Sequence, residues 1–192
     1  MVGKFYKNII DMNIFNFILF QTAWFVTILT AAYGKPYIGV LFTMIWMLFH
    51  LSIVGEKRNP ELMLIVVTAI IAYLLESGLV ITGLIVYPEQ AILGSPVPIW
   101  MVTLWINLAL TINYAMSWLK ERYLLSALLA AIAGPLTYYA GERFGAITLN
   151  GTLSLIAISI IWLIAMPLMF WLSRFFVSQK LMNDQLITNG VE

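Results

Sequence analysis

The sequence predicts an all-α membrane protein, a single bundle of six transmembrane helices with both chain ends in the cytoplasm. Its composition is the first reason: 62% of the 192 residues are hydrophobic and 10% are charged, whereas soluble domains carry about 25% charged residues. The second reason is a succession of six long apolar segments. The third is the distribution of Lys and Arg among the connections between those segments.

The six apolar segments are each long enough to cross a hydrocarbon core, which takes roughly 20 helical residues. We predict helices over residues 14–32, 37–54, 62–86, 99–118, 124–141 and 152–172. Gly and Pro are concentrated in the breaks, where they end helices for steric reasons. The first segment exceeds the roughly 7–15 apolar residues of a signal peptide, so we expect it to be retained. The prediction is one transmembrane domain over residues 1–192.

The orientation follows from the basic residues, because short cytoplasmic loops carry an excess of Lys and Arg. If the six segments cross the membrane in turn, one side carries Lys4, Lys7, Lys57, Arg58, Lys120, Arg122, Arg174 and Lys180, and the other carries Lys35 and Arg143. The pattern predicts that both termini are cytoplasmic.

Glu76 lies deep inside the third segment. A carboxylate there costs at least roughly 2.5 kcal/mol on insertion scales, so it must face protein or water and usually marks function. Asn107 in the fourth segment lies at a comparable depth, and consecutive helices are usually neighbours. We therefore expect Glu76 and Asn107 to pair. Such a pair can belong to a functional site. The alternative is that it is purely structural, an interhelical hydrogen bond of about 0.6–2 kcal/mol that only holds the bundle together.

A polar pocket opening outward is our hypothesis for a ligand-binding site. Its candidate residues are Glu76, Asn107, Tyr138, Glu142 and Arg143. The alternative interpretation makes Glu142 and Arg143 an ordinary ion pair at a loop. The only histidine, His50, lies near the inner end of the second segment, where we expect a packing or interfacial residue and not a catalyst.

Several chemistries are disfavoured by what the sequence lacks. It contains no cysteine and one histidine, which excludes thiolate sites and histidine clusters. Its two aspartates, Asp11 and Asp184, lie outside the predicted spans. We find no phosphate-binding loop and no nucleophile motif of the hydrolases. We therefore expect no metal and no cofactor. A net charge of +1 argues against a nucleic-acid partner.

Four stretches resemble an uncharacterised bacterial inner-membrane family known only as a domain of unknown function. They are FQTAWFVTILTAAYGKPYIG, ESGLV, TINYAMSWL and, most specifically, GPLTYYAGERFGA, and the resemblance covers nearly the whole chain. The family commonly has Asp at the position of Glu76 and His at that of Tyr114. The second departure argues against a role that needs an imidazole there. The resemblance implies a multi-pass protein of the inner membrane, encoded among lipid-modifying enzymes, and no activity.

Three functions stay open at this point. The first, which we favour, is a binding or transport component that holds a small or lipid-like ligand near Glu76. The second is an intramembrane enzyme acting on a lipid, because a buried carboxylate can perform proton chemistry. The third is an accessory subunit that contacts a partner through GEKRNPE, LKER or the tail from Gln179 to Glu192. Membrane lipids are the expected partners in each case.

Overall fold

A computed structural model describes the backbone of residues 2–188 and the side chains of residues 12–185. The side chains of Lys4 and Lys7, on which the predicted orientation partly rests, lie outside the described residues. So do the side chains of residues 186–192, in the tail that was considered as a docking segment. The orientation of the chain in a membrane stays a prediction.

The described chain forms six α-helices, and the expected all-α bundle is confirmed. They are α1 Val2–Ala32, α2 Pro36–Ile53, α3 Arg58–Ile81, α4 Ile99–Ala109, α5 Tyr123–Arg143 and α6 Gly151–Thr188. Five of the six contain a stretch long and apolar enough to cross a membrane, and α4 is the shorter exception.

The third helix occupies a different stretch from the one predicted, since α3 begins at Arg58 and ends at Ile81. At its end the hydroxyl of Thr82 donates to the Gly78 carbonyl at 2.7 Å, and Gly83 adopts a left-handed conformation with φ +71°. Glycine at this position is the usual way to end a helix. The chain continues as strand β1, Ile85–Val86, which pairs antiparallel with β2, Thr148–Leu149. We call this end of the bundle the strand end.

The fourth helix is the largest departure from prediction. The apolar pattern predicts it over residues 99–118, but α4 ends at Ala109, and residues 110–122 form turns with a single 3₁₀ turn at Ser117–Leu119. Eleven residues span about 16 Å, roughly half of a hydrocarbon core. The helix packs against α1, α2 and α3, and eight of its eleven residues are buried. The interior of the bundle is therefore built around a half-length helix.

Two helix pairs pack closely through glycine. A Cβ added at Gly134 of α5 would lie 2.3 Å from Trp162 Cδ1 of α6, and one added at Gly39 of α2 would lie 2.5 Å from Thr27 Cα of α1. Gly134 and Gly39 thus allow close packing, as small residues between membrane helices commonly do.

Candidate functional site

The carboxylate of Glu76 is fully buried on α3 and is bound by side chains from two other helices. Its Oε1 accepts a hydrogen bond from Trp105 Nε1 of α4 at 2.9 Å and another from the hydroxyl of Tyr138 of α5. Oε2 has no hydrogen-bond partner within the described part of the chain. Both donors are neutral, so the charge of an ionised carboxylate would be only partly compensated here.

The indole of Trp105 is held in place by a second tryptophan. Its ring stacks on that of Trp162 from α6, with centroids 4.5 Å apart and planes inclined by 18°. Trp162 in turn lies directly against Gly134, where no side chain stands in its way. A glycine on α5 therefore makes room for the stacked pair that aims the Trp105 N–H at Glu76.

A cavity of about 210 Å³ lies beside this arrangement, between α1, α4, α5 and α6. Its walls are largely apolar and include five aromatic side chains, those of Phe20, Trp24, Trp105, Tyr138 and Trp162. The two side chains that donate to Glu76 thus form part of the wall. An apolar cavity of about 150 Å³ is already large enough to hold benzene, so this one has room for a small organic group.

The cavity reaches the surface of the bundle on the side of α5 that faces α1. Ala133 and Thr137 line it and are themselves exposed. The neighbouring surface of α5 is strongly apolar, with Ile132 and Leu136 more than half exposed. A molecule dissolved in a lipid phase could enter by this route without crossing water.

Of the predicted site residues, Tyr138 joins Glu76 and Asn107 does not. Nδ2 of Asn107 donates to the Phe20 carbonyl of α1 at 2.9 Å, and its Oδ1 has no partner among the described residues. The prediction that Glu76 and Asn107 pair was therefore wrong. Positions two apart on a helix point in nearly opposite directions, and Trp105 occupies the side of α4 that faces Glu76.

Glu142 and Arg143 also lie away from the cavity, one turn beyond Tyr138 at the strand end. Oε1 of Glu142 accepts a hydrogen bond from the backbone N–H of Leu149 at 2.7 Å, which ties the end of α5 to β2. The side chain of Arg143 is exposed. The five candidates therefore do not assemble into one outward pocket, and Glu76 with Tyr138 is the part that does come together.

A second buried carboxylate, which sequence reasoning missed, lies near the opposite end of the bundle. We call it and its neighbours the Glu61 cluster, which consists of His50, Glu61, Asn113, Lys120 and Ser173. Asn113 Nδ2 donates to Glu61 Oε1 at 2.9 Å. Asn113 Oδ1 accepts from Lys120 Nζ at 2.8 Å and from the Ser173 hydroxyl at 2.6 Å. On the other side of the carboxylate, His50 Nε2 lies 3.6 Å from Glu61 Oε2.

The Glu61 cluster could be missed because its residues come from four separate parts of the chain. In the sequence Glu61 belongs to the charged loop GEKRNPE, but α3 starts at Arg58 and puts Glu61 in the first turn. Proline is tolerated in that turn and acidic residues are favoured there. Pro60 followed by Glu61 could therefore have indicated that a helix begins here and includes Glu61. Nothing in the sequence around Glu61 indicated that it would pair with Asn113.

The irregular segment after α4 is held by asparagine side chains. Asn16 of α1 is buried, and its Nδ2 donates to the Leu110 carbonyl at 3.0 Å while its Oδ1 accepts from the Ala115 N–H at 3.4 Å. Non-helical backbone at membrane depth is tolerated only where it is buried in protein or lines a water-filled cavity. Asn16 from one side and Asn113 from within the segment supply such contacts.

Lys120 connects the Glu61 cluster to the surface of the connection between α4 and α5. Its partial burial lowers the pKa of the ammonium group, and the carboxylate of Glu61 opposes that effect. Since Asn113 bridges Lys120 to Glu61, the negative charge of Glu61 has a cation two hydrogen bonds away. The cluster therefore compensates its own charge, which Glu76 and its two neutral donors do not.

Comparisons with known proteins give a family and no function. The profile of the family described as "Protein of unknown function (DUF2878)" matches residues 13–168 of the chain. No curated protein matches the chain, and no solved structure does.

Proposed function

Since the chain belongs to the DUF2878 family of proteins of unknown function, we propose a role for it from its own cavity and charges. We propose that it is a multi-pass protein of the bacterial inner membrane, with both termini in the cytoplasm. It binds a small or lipid-like ligand in the cavity beside Trp105 and Tyr138, as a binding or transport component.

A membrane location is supported by the surface of the bundle. Five helices contain stretches long and apolar enough to cross a membrane. Large apolar side chains are exposed on each of them, for example Ile45, Leu74, Ile132 and Ile164. In water, a protein with such a surface would associate with other molecules, because soluble monomers rarely expose large contiguous apolar patches.

The observation that carries the binding proposal is the position of the cavity. It opens on an apolar face between α1 and α5, and two of its wall side chains donate hydrogen bonds to the buried Glu76. Binding pockets typically combine mostly apolar walls with a few well-placed polar groups. The walls of this cavity would contact the hydrocarbon part of a ligand, and Trp105 and Tyr138 would contact its polar part.

The same geometry favours binding over catalysis at Glu76. A general acid or base must come within hydrogen-bond reach of the proton it moves. The ring systems of Trp105 and Tyr138 line the cavity, whereas Glu76 does not. A substrate in the cavity would meet the aromatic side chains first, so the intramembrane-enzyme alternative requires both of them to move.

The accessory-subunit alternative gains less from the structure. Part of GEKRNPE is engaged within the chain, because Glu61 is buried in the Glu61 cluster and Glu56 pairs with Lys180 at 3.4 Å. Lys120 of LKER is hydrogen-bonded to Asn113. Glu61 and Lys120 are thus engaged within the chain, whereas residues 55–59, Glu121 and Arg122 are exposed.

Native mass spectrometry tests the binding proposal for a ligand whose identity is not specified in advance. The protein is reconstituted in vesicles of total bacterial lipid extract, released into a mild non-ionic detergent and weighed. We expect the wild-type protein to retain a bound small molecule. Ala133→Phe should lose it, since the larger side chain fills the mouth of the cavity.

The matched control is Leu136→Phe, which places the same ring on the exposed face of α5 outside the cavity. It should retain the bound molecule as the wild type does. A wild-type protein that carries no bound molecule would contradict the proposal, as would equal occupancy in the Ala133→Phe and Leu136→Phe variants.

A further inference from the structure

We infer that the ligand of this cavity is a lipophilic organic cation, such as a single-chain amine or quaternary ammonium compound. The inference rests on the proposed function and adds the charge of the ligand to it. Two features of the site lead to it: the uncompensated carboxylate of Glu76 and the aromatic walls in front of that carboxylate.

The first feature is a buried carboxyl group without a cationic partner. Glu76 is fully buried, and both of its hydrogen-bond donors, Trp105 and Tyr138, are neutral. Within residues 12–185, the salt bridges involve Glu56, Glu61 and Asp184 and none involves Glu76. Buried charges in proteins are normally paired, so a positive charge supplied from outside the chain would favour the ionised form of Glu76.

The second feature is the aromatic composition of the cavity wall. Phe20, Trp24, Trp105, Tyr138 and Trp162 all line a volume of about 210 Å³. A cation over an aromatic face is attracted by the ring quadrupole, most strongly by tryptophan, and the attraction increases when water is excluded. Aromatic cages of this kind are the usual protein solution for binding alkylated ammonium groups.

The two features are coupled through hydrogen bonds. The Trp105 N–H and the Tyr138 O–H both point at the same oxygen of Glu76. Donation of a hydrogen bond to a carboxylate raises the electron density of the donor's ring. When Glu76 is ionised, it therefore strengthens the cation–π attraction of the two rings that separate it from the ligand.

The route of entry requires the cation to be lipophilic. The cavity reaches the surface at Ala133 and Thr137, within the apolar face of α5. A small hydrated cation would have to lose its water to enter hydrocarbon. A cation with an alkyl chain can dissolve in the lipid phase through that chain and reach the mouth of the cavity. A zwitterionic lipid headgroup would bring a phosphate toward Glu76, and like charges in a low dielectric repel strongly.

Thermal unfolding in non-ionic detergent, with matched probes, tests the charge of the ligand. The probes are hexyltrimethylammonium, its neutral isostere with carbon in place of nitrogen, and hexylphosphocholine. We expect hexyltrimethylammonium to raise the melting temperature of the wild-type protein more than either other probe. In Glu76→Gln the affinity for this cation should fall about tenfold or more, because the amide keeps an acceptor oxygen but carries no charge.

The control variant is Glu142→Gln, which neutralises a carboxylate on α5 that does not line the cavity. It should keep the wild-type preference for the cation. Each variant is compared with its own melting temperature without probe, so a change in basal stability does not obscure the result.

Equal stabilisation by the isostere or by hexylphosphocholine would overturn the inference, and so would a cation affinity that is unchanged in Glu76→Gln. No response to the three probes, with a bound molecule still seen by native mass spectrometry, would overturn the cation and leave the proposed function standing. No response and no bound molecule would overturn both.

Discussion

Two buried glutamates on the same helix have opposite surroundings in this fold. Glu61 lies in the first turn of α3, with Asn113, Lys120 and Ser173 on one side and His50 on the other. Glu76 lies four turns further along, with two neutral aromatic donors on one oxygen and none on the other.

The difference separates a structural role from a binding role. A buried charge whose neighbours compensate it can hold a chain segment in place, and the Glu61 cluster does so for the non-helical residues after α4. A buried charge left without a cation is poorly compensated by the protein alone, and Glu76 lies behind the wall of a cavity. Substitutions in the two sites test this contrast, and the largest effect is expected in the Glu61 cluster.

Asn113→Ala should cause the largest loss of stability. It removes the amide that bridges Glu61 to Lys120 and Ser173, and breaking a buried charged network typically costs about 3–5 kcal/mol. The free energy of unfolding, measured by dodecyl sulfate titration in mixed micelles, should fall by about 3 kcal/mol. Asn59→Ala is the control, because Asn59 is exposed in the same end of the bundle, and it should change little. Equal effects would argue that the Glu61 cluster is not a structural centre.

Gly134→Ala should cost about 1–3 kcal/mol, the usual range for overpacking. The new methyl group would lie 2.3 Å from Trp162 Cδ1, so the stacked tryptophans must move. The same titration measures the loss, and tryptophan fluorescence reports the displacement. Gly78→Ala is the matched control on α3, where an added Cβ meets nothing within 4 Å, and it should not destabilise the protein. A Gly134→Ala variant with wild-type stability and spectrum would contradict this packing.

Tyr138→Phe should cost about 1–2 kcal/mol, because it removes one of the two donors to the buried Glu76. Tyr73→Phe is the comparison, since the Tyr73 hydroxyl donates to the Ser95 carbonyl at 3.2 Å in an exposed position and should matter less. The unfolding titration decides between them. If Tyr73→Phe were the more damaging change, the hydrogen bond to Glu76 would not stabilise the fold.

Glu76→Gln should have the smallest effect on stability, within about 1 kcal/mol of the wild type and in the stabilising direction. The amide oxygen can still accept from Trp105 and Tyr138, and the desolvation cost of a charge is removed. Glu61→Gln should be clearly destabilising in the same titration, because it removes a charge that has its own partners. The contrast fails if Glu76→Gln proves as destabilising as Glu61→Gln.

Much of the fold could be predicted from local patterns. Apolar segments of sufficient length led to the helices, and Gly and Pro marked most of their ends. The bend from α3 into β1 was missed because Thr82 to Val86 is as apolar as a helix. Only the φ of +71° at Gly83 and the pairing of Ile85 with Leu149 distinguish it.

The end of α4 at Ala109 could not be read locally either. Residues 110–118, LTINYAMSW, continue the fourth apolar segment with polar residues interspersed, and a helix is the default for chain at this depth. The turns persist because Asn16, almost one hundred positions earlier in the chain, takes the place of helical hydrogen-bond partners for Leu110 and Ala115.

For the candidate site, the sequence identified the carboxylate and one of its partners. Glu76 stood out because an acid within an apolar span is costly, and Tyr138 was named from the end of the fifth segment. Asn107 was matched to Glu76 by depth, which says nothing about the direction of a side chain. The true α4 donor, Trp105, is hydrophobic enough to pass for an ordinary span residue.

By itself the sequence determined that this protein is an all-α bundle with apolar helices and a buried acid, because hydrophobicity and helix length are properties of consecutive residues. Tertiary structure alone decided which acid is compensated and which is not. Partners of a buried charge come from other helices, and their rotation and depth are set by packing across the bundle. The cavity between α1 and α5 and the cluster around Glu61 both arise at that level.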